Sequence, residues 1–383
     1  MRRAFSRVAA VAALALLCAS AAAASPGLRG GITDSGGAYY GQPANFFPAL
    51  EELGVHLLRV HLNWGGRLGV AKRKPRDGTD PEDRAYDWHL YDRIVREGER
   101  HGVEVLFTIF GTPPWANGGQ APTHAPRNAD PLREFAYAAA TRYSGTYERP
   151  DGVVLPRVRF WTAWNEPNLQ IGLIPQWRRV GGKWIVQSAI DYARICNAIY
   201  AGVHSAPVAN ERVACGVTAP RGNNNPSSAR PSVSPIAFVT AAKKAGMKAF
   251  DAYAHNPYYG VSIETPTTKP PGTRSGAVPT AVTLANLNTL IAAVSHLYGP
   301  RRFWITEYGY QTKPPDYAFG VSWANQAKYL TQAFAIARKN PRIDMMIWFL
   351  LKDQPDLSGW QSGLMTVDGR RKPSFGAYER VPK

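Results

Sequence analysis

The sequence predicts an α/β protein, a (β/α)8 or TIM barrel in a single domain, and three observations carry that prediction. Eight short apolar runs, rich in branched and aromatic residues, recur along the chain. Between them lie stretches with apolar residues at three- and four-residue spacing, the period of an amphipathic helix. Glycine closes many of these stretches, at Gly54, Gly102, Gly145, Gly246 and Gly299, where a chain leaving a helix turns left-handed. Strand then helix, repeated, implies parallel pairing through right-handed crossovers, and eight repeats close most simply into a barrel.

In chain order, strands are expected at 28–32, 56–62, 103–110, 158–164, 212–217, 249–254, 302–306 and 343–350. Helices are expected at 46–53, 88–100, 131–143, 189–205, 235–245, 284–298 and 323–338, with a short eighth at 373–380. The Pro- and Gly-rich runs 221–235 and 264–279 read as long loops after strands five and six. An open doubly wound sheet competes, but no glycine-rich phosphate loop follows the first strand. No repeat of 20–50 residues and no linker marks off a second domain.

Ahead of the barrel, Arg2, Arg3 and Arg7 precede an apolar stretch and then a run of small residues ending near Ala24. That order is a secretory signal peptide over 1–24, leaving 25–383 as the folded domain. The apolar stretch is short for a bilayer span, and no other segment approaches the ~20 apolar residues a span needs. Cys18 follows Leu17, where a lipid-modified cysteine wants a small neighbour. A secreted protein, extracellular or held at the cell wall, with no integral membrane segment after cleavage, is the expectation. Cys196 and Cys215 can then pair, or remain two buried thiols; spacing leaves both open.

Lys and Arg total 45 against 28 Asp and Glu, a formal charge of +17. Such a surface favours anionic polymers such as acidic polysaccharide or cell-wall polymer, through attraction that salt screens. No zinc-finger spacing, basic helix or RNA-binding aromatic motif accompanies the charge, so nucleic acid is not an expected partner.

In a barrel of this kind the C-terminal ends of the strands build the active site. Here those ends are rich in polar and aromatic groups: Arg59, Asn63 and Trp64 after strand two, Trp115 after strand three, and Asn165-Glu166-Pro167 after strand four. His255 and Tyr258 follow strand six, Glu307-Tyr308-Gly309 closes strand seven, and Trp348 lies in strand eight. Glu166 and Glu307 each end an apolar, aromatic run. Burial raises one carboxyl pKa, and pairing or hydrogen bonding holds another ionised, so two such groups facing one cavity can divide acid and nucleophile roles. Two carboxylates with divided roles are the chemistry of glycosidic bond cleavage.

Asn165-Glu166-Pro167 and Thr306-Glu307-Tyr308-Gly309, at the ends of the fourth and seventh strands, resemble glycoside hydrolase clan A across nearly the whole mature chain. Thr-Pro-Pro-Trp115 and Asn-Glu-Pro-Asn168 look most like families 39 and 5 within it. The resemblance implies a retaining glycosidase acting by double displacement on poly- or oligosaccharides, with Glu166 the general acid/base and Glu307 the nucleophile. It also implies that Asn165 binds the sugar 2-hydroxyl, that Arg59 and Tyr258 hold Glu307 ionised, and that Trp348 floors the reacting sugar. His255 and Asn63 are expected to contact substrate, and Trp115 and Trp64 to stack on sugar. A non-catalytic polysaccharide-binding barrel and a transglycosidase using the same site are the alternatives. No metal or cofactor is expected: His56 and His61 lack metalloprotease spacing, and no Gly-x-Ser-x-Gly elbow is present. The chain is expected to act as a monomer.

Overall fold

The computed structural model describes residues 27–271 and 279–383; the expected signal peptide and part of the loop after strand six lie outside the described residues. Eight parallel strands close into a barrel: Arg29–Thr33, Leu57–Asn63, Glu104–Phe110, Phe160–Ala163, Arg212–Thr218, Ala252–His255, Arg302–Tyr308 and Ile343–Phe349. The eighth closes on the first, with Arg29 opposite Met345 and Thr33 opposite Phe349. All eight expected strands are present, with ends shifted by up to three residues.

Alternation along each strand sorts residues between two cores. Leu57, Leu106, Ala214, Ala252, Trp304, Met345 and Ile347 fill the barrel interior. Leu58, Val60, Phe107, Cys215, Tyr253, Ile305, Met346 and Trp348 point outward, into the layer beneath the helices. A one-residue shift in this alternation moves a side chain from one core to the other.

Eight main helices lie outside the barrel: Pro43–Glu52, His89–Arg100, Asp130–Arg142, Gln187–Ser205, Pro235–Lys244, Leu287–Tyr298, Trp323–Lys339 and Pro373–Arg380. The expected sixth helical stretch is split, its first turn 3-10 over Leu284–Asn286. The five glycines that close helical stretches all have positive φ, from +60° at Gly54 to +91° at Gly246. Ser322 caps the penultimate helix, its Oγ accepting from Asn325 N at 3.2 Å, which satisfies one orphan donor.

Three local elements were not expected from sequence. Two are short helices, Ser35–Tyr40 and Pro114–Asn117. The third is a hairpin, Trp177–Val180 paired antiparallel with Lys183–Val186. Its two-residue turn is Gly181-Gly182, both at positive φ (+54° and +78°), as a primed hairpin turn demands.

Cys196 in the helix after strand four and Cys215 in strand five form a disulfide, with Cα atoms 5.9 Å apart and both residues fully buried. It ties that helix to the barrel wall. Among the described residues no helix is long and apolar enough to cross a membrane.

Candidate active site

Arg59 is the hub of the barrel mouth. Inward parity in strand two buries its side chain completely. The guanidinium donates Nη1 to Glu307 Oε1 at 2.5 Å, Nη2 to Asn165 Oδ1 at 2.8 Å and Nε to Thr108 Oγ1 at 2.9 Å. Thr108 in turn shares a 2.7 Å hydrogen bond with Thr162 on strand four. A buried guanidinium needs compensation for lost hydration, and here the Glu307 carboxylate and two neutral acceptors, Asn165 Oδ1 and Thr108 Oγ1, supply it.

Glu307 reaches the mouth through a bulge. On strand eight, Met346 and Trp348 are two residues apart; their partners on strand seven, Ile305 and Tyr308, are three apart. Ile305 and Tyr308 both face the helices, so Thr306 and Glu307 between them both turn inward. Thr306 Oγ1 donates to Asn256 Oδ1 at 2.7 Å, and Tyr258 OH donates to the second oxygen of Glu307 at 3.0 Å. Burial, with the Glu307 charge beside it, pushes the Tyr258 phenol well above its ordinary value, so it stays a donor.

Glu166 sits in a different environment. Its φ is +43°, and Trp164 (+66°) and Val217 (+46°) nearby share the left-handed region. For a β-branched residue such as Val217 that is a clear outlier, and such strain concentrates where a fold must aim a functional group. The turn is held by Glu166 N donating to Val217 O at 2.9 Å. Its carboxyl accepts one side-chain hydrogen bond, from Asn256 Nδ2 at 3.1 Å. Burial, then the charge of Glu307, pushes its pKa up to about 7, against opposing pulls from Asn256 and Arg59. Two carboxyls close enough to feel each other therefore have unequal surroundings: an arginine and a phenol on Glu307, a neutral amide on Glu166.

Asn165 is half-buried, and Arg59 claims its Oδ1, which leaves Nδ2 uncommitted among the described residues. Asn63 spends its amide on the hydroxyls of Tyr39 and Tyr91, at 3.2 and 3.0 Å. His61 lies flat on Phe110, ring centroids 5.4 Å apart, and burial pushes its pKa down to about 3, so it is neutral.

Three expected substrate contacts face away from the mouth, for one reason. His255, Trp348 and Trp64 hold outward parity and have no exposed surface. His255 uses both ring nitrogens, on Thr218 Oγ1 at 2.8 Å and Val282 O at 2.9 Å. Trp348 donates Nε1 to Ser362 O at 3.0 Å. Trp64 packs on Phe135 and Trp115. The inward places belong to their neighbours: Asn256 beside His255, Phe349 beside Trp348 and Asn63 beside Trp64. Trp115 sits on the short helix Pro114–Asn117 rather than a bare turn; it is half-buried and donates Nε1 to Ala71 O at 2.9 Å.

Asn256 is the residue that sequence reading missed. It is fully buried and touches both the Glu166 carboxyl and the Thr306 hydroxyl next to Glu307. Alternation continued one residue past strand six would have found it. Among the described residues no cluster of His, Cys, Asp and Glu suits a metal ion.

No protein-family model matches the sequence, and neither does any curated protein. Solved structures do resemble the fold. A family 39 glycoside hydrolase from Bacteroides cellulosilyticus WH2 superposes with a TM-score of 0.63 at 20% identity, over 93% of this chain and 63% of that one. A glucosidase from Croceicoccus marinus gives 0.64 at 14% identity, over 94% of this chain and 67% of the other. A family 39 β-xylosidase from Caulobacter crescentus gives 0.55 at 18% identity, over 94% and 72%. The chain thus spans just under two thirds of the first of these proteins. At such identities the likeness establishes the fold.

Proposed function

We propose that this protein is a retaining glycoside hydrolase, exported and monomeric, that cleaves poly- or oligosaccharides by double displacement. The observation that carries the reading is the unequal setting of the two carboxyls. Glu307 is held by Arg59 at 2.5 Å and Tyr258 at 3.0 Å, partners that favour a carboxylate. Glu166, pushed up to about 7, keeps its proton well above the ordinary carboxylate range. One group is set to attack an anomeric carbon and the other to protonate the departing oxygen. Glu166 then takes the proton of the water that releases the sugar, since the group that donated in the first step is the base in the second.

Asn165 contributes through the donor that Arg59 leaves free. A hydrogen bond from Nδ2 to the sugar 2-hydroxyl strengthens as the oxocarbenium-like transition state develops. The glycosidases among the structural neighbours, a glucosidase and a β-xylosidase included, support β-linked neutral sugars as the first substrates to try. The charge of +17, falling to +14 once the three arginines of the expected signal peptide are removed, favours a cell-wall or acidic-polymer setting, where the protein would dwell near its substrate. The transglycosidase reading uses the same residues, with a sugar hydroxyl in place of water.

Glu166→Gln and Glu307→Gln should each abolish hydrolysis of aryl β-glycosides. Azide should restore turnover only when the nucleophile is truncated, as in Glu307→Gly, and give a product of inverted anomeric configuration. Wild-type turnover in both glutamine variants sinks the assignment. Glycan binding by the wild-type protein with no product after long incubation supports the binding-barrel alternative instead.

A further inference from the structure

Against Tyr258, which contacts the proposed nucleophile, stands an aromatic residue that neither the two-carboxylate chemistry nor the strand ends account for. Trp360 lies in the loop after strand eight, 44% exposed, whereas Trp64, Trp161, Trp164, Trp304 and Trp348 are fully buried. Its ring runs nearly parallel to Tyr258, centroids 5.9 Å apart at 23°, and meets Phe349 edge-on at 5.5 Å and 85°. Tyr258 is the residue whose hydroxyl donates to Glu307. Trp360 is thus one ring removed from the reacting centre, with much of its surface in water. Among the described residues, no hydrogen bond engages its indole nitrogen.

The loop that presents this ring is fixed from below. Trp360 and Gln354 exchange hydrogen bonds, Trp360 N to Gln354 Oε1 at 2.9 Å and Gln354 N to Trp360 O at 3.0 Å. The next residue, Gln361, is buried and lends its carbonyl to Thr312 Oγ1 at 3.1 Å and Lys372 Nζ at 3.2 Å. Lys372 is itself buried against Asp353, Nζ to Oδ1 at 2.8 Å. Nothing in the proposed chemistry uses that ion pair; its place in the fold is to anchor the segment that carries Trp360. A large apolar ring anchored through its backbone, half in water and one ring away from a carboxylate, is the form a stacking surface takes.

We propose that Trp360 is a stacking platform for a second sugar ring, bound next to the one whose bond is cleaved. The inference rests on the glycosidase reading of the site and extends it to an oligosaccharide substrate. The ligand that fits is a neutral pyranose with equatorial substituents, whose axial C–H groups leave an apolar face for the indole. Phe349 and Tyr258 back that ring and set its tilt.

The test compares Trp360→Ala and Trp360→Phe with wild type on two substrate sets. One is β-glucosyl and β-xylosyl fluoride, whose leaving group is a single atom; the other is the β-1,4-linked oligosaccharides of the same sugars. The expected result is a loss in kcat/KM for Trp360→Ala about tenfold larger on the oligosaccharides than on the fluorides, carried mainly by KM and partly restored in Trp360→Phe. Equal losses on both sets overturn the inference while leaving the glycosidase reading intact. Calorimetric titration of the Glu166→Gln variant with the same oligosaccharides provides a readout without turnover. Binding that weakens about tenfold on adding Trp360→Ala supports the platform even if no substrate is cleaved. No oligosaccharide binding, or binding indifferent to Trp360, overturns it.

Discussion

Replacing Asn256 with alanine is expected to move the alkaline limb of the pH–rate profile upward. Glu166 works as an acid, so kcat/KM falls as pH rises through its pKa, pushed up to about 7 in the native site. Asn256 Nδ2 donates to the carboxyl at 3.1 Å and is the one side-chain hydrogen bond that favours the ionised form. Removing it leaves burial and the Glu307 charge, the two upward influences, opposed only by the charge of Arg59. A hydrogen bond to a charged acceptor contributes ~1.5–3 kcal/mol, and ~1.4 kcal/mol is one pKa unit. Water entering the vacated space offsets part of this, so the expected shift is about one unit upward. The assay is kcat/KM for an aryl β-glycoside across the pH range, with circular dichroism to confirm folding. Tyr258→Phe serves as a comparison, because its hydroxyl contacts Glu307 and its loss should act chiefly on the acid limb. An alkaline limb in Asn256→Ala that stays put or moves down refutes the reasoning: either Glu166 is not the titrating acid, or Asn256 does not hold its ionised form.

Three further outcomes follow from the same structure. Because Glu166 holds its proton to about 7 against an ordinary 4.5, the native state binds a proton that the unfolded chain has released, and stability falls as pH rises through that window. Glu166→Gln should therefore stabilise the protein by about 3 kcal/mol at pH 8 and hardly at pH 4, by urea unfolding at both. The Cys196–Cys215 disulfide closes a loop of sequence separation 19, so its replacement by two alanines should cost about 3 kcal/mol, seen as a lower urea midpoint. Lys372→Met strands the buried Asp353 carboxylate and should cost ~3–5 kcal/mol, while converting both partners to apolar residues should cost much less.

The barrel was legible because each strand-and-helix unit announces itself locally, through apolar period and a closing glycine. Ser35–Tyr40 escaped because Ser-Gly-Gly-Ala-Tyr-Tyr has poor helix formers and no apolar stripe. Gly181-Gly182 does signal a hairpin, but flanking Arg178, Arg179 and Lys183 hid the strand pattern. At the mouth, Glu166 and Glu307 stood out as charged residues ending apolar runs. Assigning His255, Trp348 and Trp64 to the site failed on parity: strand ends were located to within three residues, and one residue decides which core a side chain enters. Asn256 has the right parity but a common side chain, and only its place between Glu166 and Thr306 shows its use.

The extra residue in strand seven gives the protein an unusual kind of fragility. Were strand seven to alternate evenly beyond Ile305, Thr306 would stay inward, Glu307 would turn out under the helices and Tyr308 would enter the barrel. Deleting Thr306 would remove the bulge, keep Ile305 and Tyr308 under the helices and Glu307 inward, and lose the hydrogen bond from Thr306 to Asn256. The aim of the proposed nucleophile thus depends on where the register of one strand slips, a property that no single side chain carries.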